Sequence, residues 1–146
     1  MMKYFIIFFF LISFNSFADK RKIDFRGFIS IKSLNIGKNI NFNNFEIKGV
    51  WDDSEGNYGN GNCSGSWLSD KNSTRKKDMI FCEFEDQNEQ KFWKKVERKG
   101  SEQKAGIGKT ILIEATENYK KNIGKECIYA INYTKDAFIM ILNCNY

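Results

Sequence analysis

Residues 125–146 of this chain read KECIYAINYTKDAFIMILNCNY. Apolar side chains recur at every second position on both sides of a polar turn at residues 134–136, which is the pattern of a β-hairpin. Cross-strand partners in a hairpin have a constant sum of residue numbers, and the midpoint of Cys127 and Cys144 falls inside this turn. We therefore expect the two cysteines to lie opposite each other and to form a disulfide.

The remaining two cysteines follow the same rule. The midpoint of Cys63 and Cys82 falls in the polar stretch 69–74, so these residues also satisfy the symmetry of a hairpin. Four cysteines allow three pairings, and hairpin symmetry favours Cys63–Cys82 with Cys127–Cys144. Free buried thiols are the alternative. A zinc site is disfavoured, because the sequence has neither a His nor a Cys-x-x-Cys pair.

Strand-like alternation extends over the rest of the chain. It recurs, between polar turns, at residues 23–32, 44–51, 58–68, 78–85, 90–98 and 106–115. Residues 116–124 are polar and fit one helical turn. The last strand is apolar on both faces, which predicts that a neighbouring element covers its outer face. The sequence thus predicts an all-β domain over residues 19–146: a small antiparallel meander barrel of about eight strands, or else a sandwich.

The chain begins with the features of a secretory signal peptide. Lys3 precedes an apolar run of about 11 residues, shorter than the ~20 needed to span a bilayer. Small residues, Ser16 and Ala18, stand at the −3 and −1 positions of a cleavage site after residue 18. We expect residues 1–18 to be removed. The mature protein would then be periplasmic or secreted, with disulfides and with no integral membrane segment.

The amino-acid composition limits the kinds of functional site that the chain can form. The chain has 23 Lys and Arg against 18 Asp and Glu, and the excess is spread along the sequence, which favours a solvated surface over a nucleic-acid site. The absence of His removes Ser-His-Asp and Cys-His systems. Acidic clusters occur at residues 52–55 and at Glu83 and Glu85, where turn chemistry and a solvated strand face are the commoner roles. The sequence therefore assigns no catalytic residue, no metal ligand and no cofactor.

One stretch imitates a nucleotide-binding loop. Residues 103–110 read QKAGIGKT and end as a P-loop ends. The pattern requires Gly at the position of Gln103 and a helix after Lys109, whereas residues 111–113 are Ile-Leu-Ile and indicate a strand. We interpret Gly106 and Gly108 as residues that ease the backbone into this strand.

A longer block carries a family resemblance. Residues 106–133 read GIGKTILIEATENYKKNIGKECIYAINY, and residues 51–63 read WDDSEGNYGNGNC. Both resemble segments of small, mostly uncharacterised exported proteins of AT-rich marine bacteria. More remotely, residues 50–130 are similar to allene-oxide-cyclase-like and dirigent-like β-barrels. Residues 114–116, Glu-Ala-Thr, replace the Gly-Thr-Gly of those barrels, so the resemblance implies architecture only.

Aromatic side chains supply the functional hypothesis. Barrels of this size hold either a filled core or one small ligand. We expect binding of a small apolar or amphipathic ligand inside the barrel, without catalysis. Two alternatives stay open: a structural or envelope-associated protein that uses its outer surface, and a pocket-only cyclase or isomerase. The oligomeric state is not predicted. The expected pocket lining is Trp67, Trp93, Tyr129 and Tyr133.

Overall fold

Eight antiparallel strands close into a barrel in chain order, and β1 pairs with both β2 and β8. The computed structural model describes residues 20–72, 74–99 and 105–145, so the expected signal peptide lies outside the described residues. The elements are β1 (Lys20–Ile36), β2 (Ile40–Asp53), β3 (Tyr58–Asp70), β4 (Arg75–Asp86), β5 (Lys91–Lys99), β6 (Ala105–Ala115), a 3₁₀ helix (Glu117–Asn122), β7 (Glu126–Thr134) and β8 (Ala137–Asn145). The predicted all-β meander is confirmed as a barrel rather than a sandwich.

Both predicted disulfides are confirmed. Cys63 and Cys82 face each other across β3 and β4, with their Cα atoms 4.0 Å apart. Cys127 and Cys144 face each other across β7 and β8, at 4.1 Å. Each bond joins neighbouring strands of one hairpin, as the residue-number symmetry required, and all four sulfur atoms point into the barrel core.

Removing either disulfide is expected to destabilise the barrel measurably. The bonds join residues 19 and 17 positions apart, and closing loops of that length in the unfolded chain is worth about 3 kcal/mol. We expect the double variants Cys63→Ala/Cys82→Ala and Cys127→Ala/Cys144→Ala each to lose about that amount in urea unfolding at pH 7. A loss below about 1 kcal/mol for either variant would show that its loop is already constrained in the unfolded chain.

Alternating side chains fill the barrel interior. Phe25 and Phe84 meet edge to face with ring centroids 5.1 Å apart, and the Phe84 ring stacks on Phe92 at 4.9 Å. Gly61 lies against this cluster, where an added Cβ would stand 2.7 Å from the Phe25 ring. Glycine on the inner face of β3 therefore makes room for large rings on the facing strands.

Three turns share one design, which explains where their strands end. In each, the Asp that ends a strand accepts backbone N–H bonds at Oδ1 from the residues two and four positions later, at 2.8–3.0 Å. Its own N–H donates to the carbonyl four positions on, at 2.9–3.2 Å. A short carboxylate that bonds its own turn in this way favours reversal of the chain. The residues are Asp53, Asp70 and Asp86.

The 3₁₀ helix covers one end of the barrel. Its residue Tyr119 is buried, with the ring centroid 4.8 Å from that of Phe92 and the hydroxyl donating to Asp86 Oδ2 at 2.7 Å. The guanidinium of Arg21 lies 5.3 Å from the centre of the same ring. We call this the closed end. The turns between β1 and β2, β3 and β4, and β7 and β8 lie at the opposite, open end.

One prediction about the last strand is wrong. No described element covers the outer face of β8, and Ile139 is 61% exposed there. Apolar residues on both faces of β8 therefore do not mean that both faces are buried. Among the described residues, no helix is long and apolar enough to cross a bilayer.

Candidate functional site

The strands differ in length, and this shapes the open end. Pairing between β1 and β8 stops at Phe28 and Ala137, whereas pairing between β1 and β2 continues to Ile36 and Ile40. Pairing of β2 with β3 reaches Asp70. Residues 29–36, 40–47 and 63–70 therefore extend past the β8 side of the rim as a three-stranded sheet, which we call the flap.

A cavity of about 340 Å³ lies between the inner face of the flap and the opposite rim. This volume falls within the range of small-molecule sites, which combine apolar walls with a few polar groups. The lining here follows that description, with apolar and aromatic side chains and two cationic ones. It consists of Ile29, Ile31, Phe45, Trp67, Arg75, Tyr133 and Lys135.

Arg75 is the best-positioned charged group of this cavity. Its guanidinium carbon lies 4.1 Å from the centre of the Trp67 ring, and its Nε donates to Asp78 Oδ1 at 2.8 Å. The side chain is only 6% exposed. Stacking on an aromatic face together with a carboxylate bond holds the guanidinium in one orientation. A fixed cation therefore stands beside apolar walls.

A β-bulge brings Arg75 to the inner face. The pairing of β3 with β4 shifts between Ser66 and Leu68, and Lys77 takes a left-handed conformation with φ of 51°. Strict alternation would put Arg75 and the inward-facing Ile80, five positions apart, on opposite faces. The additional residue in β4 instead turns both side chains towards the interior, where they line one small void.

Trp67 lines the mouth and carries a polar group without a described partner. Its indole Nε1 is buried, and no hydrogen-bond acceptor reaches it among the residues that the structure describes. A buried donor without an acceptor costs about 1–3 kcal/mol. Such a cost is expected where a ligand or a water molecule supplies the acceptor.

Below the mouth the interior is filled. A void of about 30 Å³, bordered by Tyr129 and Tyr133 among others, has room for one water molecule. Burial raises the pKa of Tyr129 to about 12 and also raises that of Tyr133. Both phenols are therefore neutral hydrogen-bonding groups at physiological pH. The Tyr129 ring lies against Gly108, whose absent Cβ would stand 2.6 Å from it.

The structure brings together three of the four expected pocket residues. Trp67 and Tyr133 line the mouth, and Tyr129 lies one layer deeper on the same inner face. Trp93 lies elsewhere, on the outer face of β5, where its Nε1 donates to Glu83 Oε2 at 2.8 Å. The P-loop-like stretch is a strand from Ala105 onward, as expected, while residues 103 and 104 lie outside the described residues.

The acidic groups noted in the sequence have structural partners. Asp53 pairs with Arg21, and Asp52 pairs with Arg26. Glu83 and Glu85 both pair with Lys91 on the outer face, at 3.1 Å. Within residues 20–72, 74–99 and 105–145, no group of three His, Cys, Asp or Glu side chains is placed to hold a metal ion.

Four residues of the mouth were not singled out from the sequence: Arg75, Lys135, Ile29 and Ile31. Ile29 and Ile31 belong to a predicted alternating strand, so the face on which they lie could be predicted, but the extension of β1 past β8 could not.

Comparison of the chain with protein-family models, curated proteins and solved structures finds no match. The geometry of the open end therefore carries the functional argument.

Proposed function

We propose that this protein binds a small amphipathic molecule at the open mouth of the barrel. One observation carries the proposal: the 340 Å³ cavity joins apolar walls to the oriented cation of Arg75, and the Trp67 that lines it has a buried N–H without an acceptor among the described residues. The filled interior below limits the ligand to the mouth, which refines the sequence-based expectation of a ligand deep inside the barrel.

The lining selects for a particular chemistry. Ile29, Phe45 and the Trp67 ring suit an alkyl chain or an aromatic ring. Arg75 and the Trp67 N–H donate hydrogen bonds, so the polar group of the ligand is an acceptor. A carboxylate fits best, because bonds from a guanidinium to an anion are stronger than bonds between neutral groups.

Export belongs to the same proposal. Cross-strand disulfides persist in oxidising compartments and are rare where thiols are kept reduced. All four described cysteines are paired. Together with the signal-like start of the chain, this supports a periplasmic or secreted binding protein.

Tryptophan fluorescence tests the proposal. We expect decanoate to quench or shift the emission of the wild-type protein, and decanol to do so at least tenfold more weakly, because the alcohol cannot form an ion pair with Arg75. The variant Trp67→Phe removes both the reporter and the N–H, so it should lose most of the signal. Isothermal calorimetry on this variant should show at least tenfold weaker decanoate binding, as expected for a lost bond to a charged group.

The chain contains a matched control. Trp93 is partly buried and hydrogen-bonded on the outer face, so Trp93→Phe should keep both the fluorescence response and the affinity. Equal loss in the two variants, or equal affinity for decanoate and decanol, would contradict binding at this mouth.

A further inference from the structure

The outer face of the flap carries an exposed apolar patch at its tip. Leu34 pairs with Phe42, and Phe42 pairs with Leu68 on the next strand. Ile36 pairs with Ile40 one row further out. We call these five side chains the tip patch. Leu34, Ile36 and Ile40 are 63%, 49% and 45% exposed.

The position of the tip patch makes its exposure informative. Single exposed apolar residues are ordinary, but adjacent ones on neighbouring strands usually mark a contact surface. The patch lies where β1 has lost its β8 partner, so it projects from the barrel instead of lying on its side. Leu34 and Ile36 could have been polar without any change in the core, because their side chains face away from it.

Exposed lysines lie at the same end of the barrel as the tip patch. Six exposed lysines stand on the flap, at the start of β4 and on the turns of the open end. Lys76 is the one among them that pairs with a carboxylate of the described residues, Asp70 at 3.3 Å. The β2–β3 turn at the closed end is acidic instead, with Asp52, Asp53 and Glu55 before Gly56. The six lysines are Lys32, Lys38, Lys71, Lys76, Lys77 and Lys135.

The lysines are distant in sequence and close in space because the barrel is a meander. Turns one, three and seven fall at the open end, whereas turns two, four and six fall at the closed end. Exposed lysines of the flap, of the start of β4 and of two turns are thereby gathered at one end of the barrel.

We propose that the flap tip docks on an anionic phospholipid surface, with the tip patch at the boundary between headgroups and acyl chains. Attraction of the lysines to anionic lipids and burial of apolar side chains together suit a membrane interface. A nucleic acid would match the lysines but not the tip patch, and a second copy of the chain would match the patch but not the like charges around it. The inference does not depend on ligand binding at the mouth.

Vesicle co-sedimentation tests the docking. We expect the full mature chain to bind vesicles containing one-third phosphatidylglycerol at least tenfold more tightly than vesicles of phosphatidylcholine alone, and less tightly as salt is raised. The variants Leu34→Ser/Ile36→Ser and Lys32→Gln/Lys38→Gln should each weaken this binding about tenfold. All four substitutions are at exposed positions, and circular dichroism should confirm that the variants remain folded.

Ile139→Ser is the matched control, because Ile139 is as exposed as Leu34 but lies on β8, away from the flap. It should bind vesicles as wild type does. The proposal would be overturned if Ile139→Ser lost vesicle binding as Leu34→Ser/Ile36→Ser does, or if Leu34→Ser/Ile36→Ser lost none. It would also be overturned if double-stranded DNA competed with vesicles and bound the wild type and Leu34→Ser/Ile36→Ser equally well. A wild-type dimer that the patch variant abolishes would overturn it as well. Decanoate affinity, measured on the same variants, separates failure here from failure of the proposed ligand site.

Discussion

Raising the pH from 7 to 10 is expected to stabilise this protein, and one buried lysine alone contributes about 3 to 4 kcal/mol. Lys94 is 1% exposed, and its Nζ bonds to Cys127 Sγ at 3.1 Å, without a carboxylate partner among the described residues. Burial, and secondarily the positive charge of Arg21, lower the pKa of Lys94 to about 7 from the usual 10.5. The folded barrel therefore favours the neutral amine.

The sign follows from proton binding in the two states. Between pH 7 and 10 the unfolded chain holds a proton on Lys94, whereas the folded chain has mostly released it. The unfolded state binds more protons, so the free energy of unfolding rises by up to about 1.4 kcal/mol per pH unit in this window. Above pH 10 the trend reverses, because burial raises the pKa of Tyr129 to about 12 and folded Tyr129 keeps a proton that the unfolded chain loses.

Urea unfolding at pH 7, 8, 9 and 10 measures the slope. Lys94→Met should be more stable than wild type at pH 7 and should show little slope, because it removes the titrating group and suits the core. Lys95→Met is the control: Lys95 is the next residue on the same strand, exposed and paired with Glu97 at 2.9 Å. It should retain the wild-type slope. An unchanged slope in Lys94→Met would show that other groups titrate in this window.

Lys94 also shows that alternation in a sequence does not always predict which residues of a strand are buried. Alternation placed Phe92, Lys94 and Val96 on one face of a strand, and the structure keeps them together on the inner face. A lysine between two apolar residues is usually taken as a solvated position. Its burial depends on the disulfide and the facing strands that surround it, which the local pattern does not contain.

The strands and the disulfides could be predicted from the sequence because the patterns that indicate them are local. A period of two and the symmetry of a hairpin need only neighbouring residues, so all eight strands and both Cys pairs were predictable. The mouth was less so. Trp67, Tyr129 and Tyr133 have inner-face parity, but the inward turn of Arg75 depends on the bulge opposite Trp67, where the parity of β4 changes.

The clustering of lysines at the open end illustrates a different limit. Along the chain they are spread out and suggested only a solvated surface. Their common location follows from topology, since alternate turns of a closed meander share an end. Trp93 shows the converse: it has an aromatic side chain suited to a pocket, but its parity within β5 directs it outward, to Glu83.

Asp53→Asn is expected to cost about 3 kcal/mol of stability, at the closed end of the barrel. The Asp53 side chain is fully buried and accepts a bond from Arg21 Nε at 2.7 Å, while its other oxygen holds the β2–β3 turn. Asparagine can keep the turn bonds but removes the negative charge. Arg21, 5% exposed, then keeps its positive charge but loses its bond to this carboxylate, and the Glu55 carboxylate lies further away, at 3.7 Å.

The neighbouring residue provides the control. Asp52 also pairs with an arginine of β1, Arg26, but both side chains are more than half exposed. Exposed pairs contribute about 0–1 kcal/mol, so Asp52→Asn should be close to neutral in the same urea experiment. The two substitutions are chemically identical and adjacent, and they differ in burial and in the turn bonds that residue 53 accepts, which asparagine can keep. Equal effects would show that the turn geometry at residues 53–57, rather than the buried ion pair, determines the stability of the closed end.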